Sequence, residues 1–245
     1  HYLGQNFSKA FDVRFQTKDN KENFVYATSW GVSTRLVGAL IMVHGDDKGL
    51  RLPPNIAPIQ VVIIPIINKD YDDEEFKVYI NNLISDLKEK NIRYYIDNRN
   101  QYSVGYKFNE WEMKGVPIRI EIGPRDMKNN QAVMARRDIG EKETILINEA
   151  SEIIQSSLID IQKNLFNQAK KFQEDNTFTV NDYNEFKSQV DKGGFIRCGW
   201  DGSPETETKI KEETKATIRC ILFKQNISGL DCIYSQKPAQ YEVIF

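Results

Sequence analysis

Ser33 and Arg35 stand just ahead of an apolar run, where a hydroxyl, a guanidinium and free backbone N–H groups converge. Residues 29–54 read SWGVSTRLVGALIMVHGDDKGLRLPP, and Leu36, Leu40 and Val43 recur at helical spacing. This predicts a helix with Ser33 as its N-cap and Gly45 as a left-handed C-terminal cap. A cation in a first turn opposes the helix dipole by a few tenths to about 1 kcal/mol, so Arg35 fits better if an anion joins it. N-terminal N–H groups with a guanidinium fork suit a phosphate. The alternative is a surface arginine paired with Asp46 or Asp47. A second mixed set, Glu121 and Arg125, lies in VPIRIEIGPRD, where the plain reading is a strand and turn joined by a weak salt bridge. His1 and His44 are the only histidines, and each alone reads as a structural or exposed residue. The three cysteines, Cys198, Cys220 and Cys232, are odd in number and sparse, which argues against a disulfide framework and fits a reducing cytoplasm.

The elements that must position these residues follow from pattern. The chain has 245 residues, 40% of them hydrophobic and 28% charged, enough for one large or two smaller cores. No apolar run approaches the ~20 residues of a membrane span, and no signal peptide opens the chain. A net charge of −2 does not advertise bulk nucleic-acid binding, although local basic patches can still supply it. Residues 1–56 read as two strands, one with Phe11, Val13 and Phe15 alternating, plus the helix above, too little for a core of their own. Pro53, Pro54 and Pro58 mark a linker. In residues 57–147, IQVVIIPI reads as a strand buried on both faces. DDEEFKVYINNLISDLKEKN reads as a helix lined by Phe76, Ile80, Leu83 and Leu87. Strands at IRYYIDNR, VPIRIEIG and QAVMARRD, with a short helix or turn at FNEWEMKG, complete an α/β sheet with some antiparallel pairing. Residues 148–245 open on a helix striped by Ile154, Leu158, Ile161 and Leu165, expected to pack on the C-terminal unit. A second helix follows, capped by Thr179 and ended by the Gly193/Gly194 pair. Cys220 reads as core.

HYLGQNFSKAFDVRF, the tract from Thr28 to Ile66, and GVPIRIEIGPRD onward resemble prolyl-tRNA synthetases of the archaeal/eukaryotic type. The second of these tracts is similar to motif 3 of the class II synthetases running into an anticodon-binding domain. The resemblance implies a fold made of the end of a class II catalytic domain (residues 1–56), an α/β anticodon-binding domain with a mixed sheet (57–147) and a small α+β C-terminal domain (148–245). It implies proline activation by ATP with Mg²⁺, transfer of the prolyl group to proline tRNA, a cytoplasmic setting and a homodimer. Motifs 1 and 2 are absent, so the chain is expected to be inactive alone. The alternative is a non-catalytic RNA-binding module or accessory subunit.

Residue by residue, the resemblance places His1, Ser29, Trp30 and Gly31 around a proline pocket, and Ser33 and Arg35 on ATP, with Arg35 the catalytic group. An indole wall suits a pyrrolidinium ring. The expected anticodon surface comprises Lys107, Phe108, Glu112, Glu121, Arg125 and Arg136, with Arg137 beside it. Single-stranded bases need a stacking face, and guanine edges need a carboxylate and an arginine. Many family members bind zinc through four C-terminal cysteines. Here the corresponding positions are Cys198, Ser203, Cys232 and Ser235. Hydroxyls are poor zinc ligands, so no metal is expected.

Overall fold

A computed structural model describes residues 1–67 and 71–245. The chain divides into two compact units, His1–Leu158 and Ile159–Phe245.

The first unit begins with small pieces. Strands β1 (Tyr2–Gly4) and β4 (Ala27–Thr28) pair antiparallel, as do β2 (Arg14–Gln16) and β3 (Glu22–Phe24). Helix α1 (Asn6–Ala10) takes the place of the expected loop, and Phe11 is its C-cap rather than a strand residue. Helix α2 (Arg35–His44) follows, and none of its residues is buried. Its apolar positions therefore have no core of their own, as two strands and a helix would dictate. Thr34, not Ser33, occupies the N-cap position, although Ser33 Oγ still accepts a hydrogen bond from the Arg35 N–H at 3.3 Å. Gly45 is extended (φ −102°, ψ 152°) rather than left-handed, because the chain passes directly into the hairpin β5 (Gly45–Asp46) and β6 (Gly49–Leu50).

A five-stranded mixed sheet forms the centre of this unit, in the order β11-β10-β9-β7-β8. Its strands are β7 (Val61–Pro65), β8 (Tyr94–Ile96), β9 (Ile118–Ile122), β10 (Gln131–Arg136) and β11 (Lys142–Leu146). β7 runs parallel to both β8 and β9, while β10 is antiparallel to β9 and β11. Every residue of β7 is buried, as a strand covered on both faces requires. Helix α3 (Asp73–Glu89) buries Phe76, Ile80, Leu83 and Leu87. The Asp72 carboxylate caps it by accepting from the N–H groups of Glu74 and Glu75. Helix α4 (Val104–Met113) joins β8 to β9, and the short α5 (Pro124–Lys128) joins β9 to β10. β11 and α5 have no counterpart in the sequence reading.

Helix α6 (Ala150–Asp175) carries the expected stripe. Ile154, Leu158, Ile161 and Leu165 are all buried, but the first two belong to the first unit. In the second unit, β12 (Thr177–Thr179), β13 (Phe195–Trp200), β14 (Cys220–Ile221) and β15 (Tyr241–Ile244) form a sheet in the order β12-β13-β15-β14. Helix α7 (Tyr183–Lys192) is capped by Asp182, whose carboxylate accepts from Asn184 and Glu185 N–H at 2.9 Å. Thr179 is a strand residue instead. Gly193 ends α7 with φ 87°, in the left-handed region open to glycine. Helix α8 (Pro204–Thr214) completes the unit. Val180, Phe186, Ile196, Cys198, Ile210, Ile233, Val243 and Phe245 form its core. Cys220 is exposed on β14 rather than part of that core.

Candidate nucleic-acid interface

Strand register brings together groups that are far apart in sequence. Arg119 faces Val62 and Ala135 across the ladder, Glu121 faces Ile64 and Val133, and Lys142 faces Ala135. Cross-strand partners share a face, so these side chains line one side of the sheet. Helix α4 lies on that side, because Trp111, Val116 and Phe108 pack with Val62 and Ile64.

The polar groups at this seam hold one another in place. Arg119 Nε donates to Glu121 Oε1 at 2.9 Å, and Lys142 Nζ reaches the same carboxylate at 2.8 Å. The Arg119 guanidinium lies 4.3 Å from the Phe108 ring centre and the Lys142 ammonium 5.2 Å. A cavity of about 190 Å³ opens beside them, lined in part by Lys48, Glu112, Arg119, Arg136, Arg137 and Lys142. Lys48 lies 3.5 Å from Glu112, and Arg136 is bidentate to Asp138. The cavity thus offers fixed N–H donors beside one accessible carboxylate and an aromatic ring. That combination suits a planar ligand edge carrying both donors and acceptors.

The hairpin β5–β6 closes one end of the cavity. Arg137 donates to Asp46 through both terminal nitrogens, at 2.5 and 2.9 Å, and to the Glu112 carbonyl at 3.1 Å. The Arg137 hydrogen bond outweighs burial and holds the Asp46 carboxyl at about 2. A Cβ on Gly49 would stand 2.4 Å from Met113 Cα, so only glycine lets the hairpin approach α4 this closely. Asp46 is therefore the partner of Arg137 rather than of Arg35, which is exposed at the start of α2.

The expected anticodon residues divide. Glu112 and Arg136 line the cavity, Phe108 lies against its Arg119, and Glu121, only 5% exposed, pairs with its Arg119 and Lys142. Arg125 is exposed on α5, and Glu121 pairs with Arg119 and Lys142 rather than with it. Lys107 is not on the surface. It is 1% exposed, and its Nζ donates to the Asp97 carbonyl at 3.0 Å. Sequence reasoning missed Arg119 and Lys142. The only signal for Arg119 was its period-two spacing from Glu121, which puts both on one strand face. Of the other expected site residues, His1 and Ser29 meet where β1 pairs with β4, with the Ser29 N–H bonded to the His1 carbonyl at 2.9 Å, and Trp30 and Gly31 follow them in the chain. All four are exposed, as are Ser33 and Arg35.

In the second unit, of the positions Cys198, Ser203, Cys232 and Ser235, the two serines bond a different centre, the Asp201 carboxylate. It accepts from the Ser203 N–H (3.0 Å), Thr206 Oγ1 (3.0 Å) and Ser235 Oγ (2.6 Å). Ser203 Oγ meanwhile caps α8 by accepting from the Thr206 N–H. Burial, with Cys232 nearby, pushes the Cys198 thiol up to about 12, as for a buried core side chain. Among the described residues no group of three or more His, Cys, Asp or Glu side chains could hold a metal. Two thiols and two engaged hydroxyls do not fit structural zinc. Burial raises the Asp201 carboxyl, but its hydrogen bonds win and hold it below its ordinary value. Asp201→Ala is expected to destabilise this unit by about 1–3 kcal/mol by orphaning its donors. A depressed carboxyl stabilises above its unfolded value near ~3.9 and loses that contribution as pH falls further. Urea melts of parent and variant should therefore converge toward acid; equal melts at pH 7 would refute the role.

A family model of the anticodon binding domain matches residues 60–157. A model of the prolyl-tRNA synthetase C-terminal domain matches residues 183–245. These residues form a prolyl-tRNA synthetase C-terminal region. The anticodon-binding domain contains the five-stranded sheet, α4 and the cavity, and the prolyl-tRNA synthetase C-terminal domain contains the Asp201 cluster. Proline--tRNA ligases of Bacteroides fragilis (47% identical over 249 residues), Flavobacterium psychrophilum (49% over 246) and Cytophaga hutchinsonii (48% over 246) match the whole chain. The chain spans about half the length of the curated relatives it matches, 50% in each of these three. Among the described residues no helix is long and apolar enough to cross a membrane.

Proposed function

We propose that this chain is the anticodon-reading and C-terminal part of a proline–tRNA ligase of the archaeal/eukaryotic type. The cavity between α4 and the sheet carries the reading, since it lies in the anticodon-binding domain and pairs fixed cationic donors with a carboxylate and an aromatic ring. The proline anticodon ends in two guanines. The Glu112 carboxylate would accept from a guanine N1–H and N2–H₂, Arg119 and Lys142 would donate to O6 and N7, and Phe108 would support a splayed base. Each oxygen of Glu121 already accepts from Arg119 or Lys142 and the carboxylate is buried, so its part is to orient those two donors. Arg125 and Arg136 are assigned to phosphate contacts, which set affinity rather than choice of base.

In the whole ligase, His1, Ser29, Trp30 and Gly31 would line the proline pocket, and Ser33 and Arg35 would contact ATP. Arg35, at the start of α2, would stabilise the charge that develops at the α-phosphate as the proline carboxylate attacks it. ATP is the energy source, and Mg²⁺ would hold its phosphates. The working enzyme is a cytoplasmic homodimer. The chain alone, without the class II motifs 1 and 2, does not activate proline. The C-terminal domain needs no zinc, its centre being organised by Asp201.

The test is binding of the 245-residue chain to labelled proline tRNA, compared with the same tRNA carrying two altered anticodon guanines, at two salt concentrations. A clear preference for the native anticodon is expected, with no proline-dependent pyrophosphate exchange from the same preparation. Equal and steeply salt-dependent binding would reduce the face to phosphate contacts, and pyrophosphate exchange would overturn the dependence on a missing half.

A further inference from the structure

Two buried charges beneath α4 take no part in the reading face. Asp97, just past the end of β8, is 0% exposed, and Lys107 on α4 is 1% exposed. A buried lysine is costly unless paired and hydrogen-bonded. Here Lys107 Nζ donates to the Asp97 carbonyl at 3.0 Å and stands 4.0 Å from Asp97 Oδ1. Asp97 Oδ2 accepts from the Trp111 indole N–H at 2.7 Å and from Arg99 at 2.8 Å. Arg99 continues to Glu110 at 2.5 Å, so one knot grips α4 at Lys107, Glu110 and Trp111. The Asp97 N–H bonds the Ile63 carbonyl at 2.9 Å, which anchors the knot to the central strand β7.

The helix does not need this knot in order to form. Ser103 already caps it by accepting from the Tyr106 N–H, and Trp111 supplies apolar burial against Val62 and Ile64. An apolar seam is non-directional, however, and leaves the rotation of a ten-residue helix weakly specified. Lys107 and Trp111 are four residues apart and lie on one face. Phe108 and Glu112 are the residues immediately after them, one ~100° step further round the helix. Pinning the first pair therefore sets the direction of the second.

We infer that Asp97 and Lys107 are positioning residues for the anticodon-reading face, fixing the rotation of α4 and thereby the aim of Phe108 and Glu112, and that Lys107 does not itself touch RNA. This rests on the anticodon reading proposed above. It also accounts for a lysine next to Phe108 that is turned inward, away from any polyanion.

The test substitutes Lys107→Met, which keeps an unbranched apolar stem one atom shorter and removes the ammonium, in the full 245-residue chain. Binding to native and guanine-altered proline tRNA is measured across a salt series. The expected result is a preference narrowed about five- to tenfold, part of what one well-placed base contact supplies, with the slope of log K against log salt unchanged. A phosphate contact at Lys107 would instead flatten the slope by about 0.7–0.9, and that overturns the inference. An unchanged preference in the variant overturns it too. No preference in the parent chain defeats the anticodon reading itself, a separate and visible outcome. Should the variant melt below the assay temperature, Trp111→Phe takes its place. It removes the N–H that reaches Asp97 and trims the buried indole to a single ring that still packs on Val62 and Ile64, with the same narrowing and unchanged slope expected and an intact preference refuting the role.

Discussion

Arg119→Ala is expected to remove most of the chain's preference for the native proline anticodon, a loss of about 1–3 kcal/mol or roughly 5- to 150-fold. The guanidinium is only 15% exposed in its side chain, lies over Phe108 and is bonded to Glu121 at 2.9 Å. It therefore has one orientation before any ligand arrives, and little further ordering cost is left for binding. Its removal also leaves the buried Glu121 carboxylate with only Lys142, whose side chain is half exposed. Glu121 would then draw Lys142 inward, so one substitution silences two donors. Arg119→Lys is the informative companion. It keeps the charge but cannot present a planar fork to two acceptors, and an intermediate preference is expected. Titrations against native and guanine-altered tRNA decide the matter: an undiminished preference in Arg119→Ala would remove this face from the account of base reading.

Phe186→Ala is expected to cost the second unit about 3–5 kcal/mol. Phe186 is fully buried on α7, stacks with Tyr183 at 5.9 Å and meets Phe245 edge-on at 5.1 Å between ring centres. It touches the core formed by β13, β15 and α8, so no single neighbour can collapse into the space it leaves. Stabilities run at about 0.05–0.15 kcal/mol per residue, so a loss of this size removes a large share of what a unit of this length has. Denaturant unfolding of the full chain, followed with separate probes in the two units, should show an early transition confined to residues 159–245. A single unshifted transition would show that Phe186 carries far less of the packing than its contacts indicate.

Much of the anticodon-binding domain was legible in advance because its signals are local. The uninterrupted apolar run at β7 and the acidic start and i, i+4 stripe of α3 each depend on near neighbours in the chain, as does the glycine pair that ends α7 in the second unit. Of the residues named from the resemblance, Glu112 and Arg136 line the cavity, and Phe108 lies against Arg119, which lines it too. Elements with weak local patterns were missed. Four of the five residues of β11 are exposed, so no alternation marks it as a strand. α5 is a single short turn of helix opened by Pro124, and α8 is dominated by charged residues and threonine. Asp182 displaced Thr179 as the cap of α7 because Thr179 was already committed to β12.

The sequence by itself determined the class of the fold, the helices with strong periodicity and the resemblance to prolyl-tRNA synthetases. Tertiary structure alone decided which charges share one face of the sheet. Arg119, Glu121 and Lys142 meet because β9, β10 and β11 pair in one register, and a register is set by burial across the whole sheet rather than by any local pattern. Lys107 and Phe108 are adjacent in sequence, yet one is sealed in with Asp97 and the other borders the cavity region. A helix turns by about 100° per residue, and only the surface it packs against says which of two neighbours is inside.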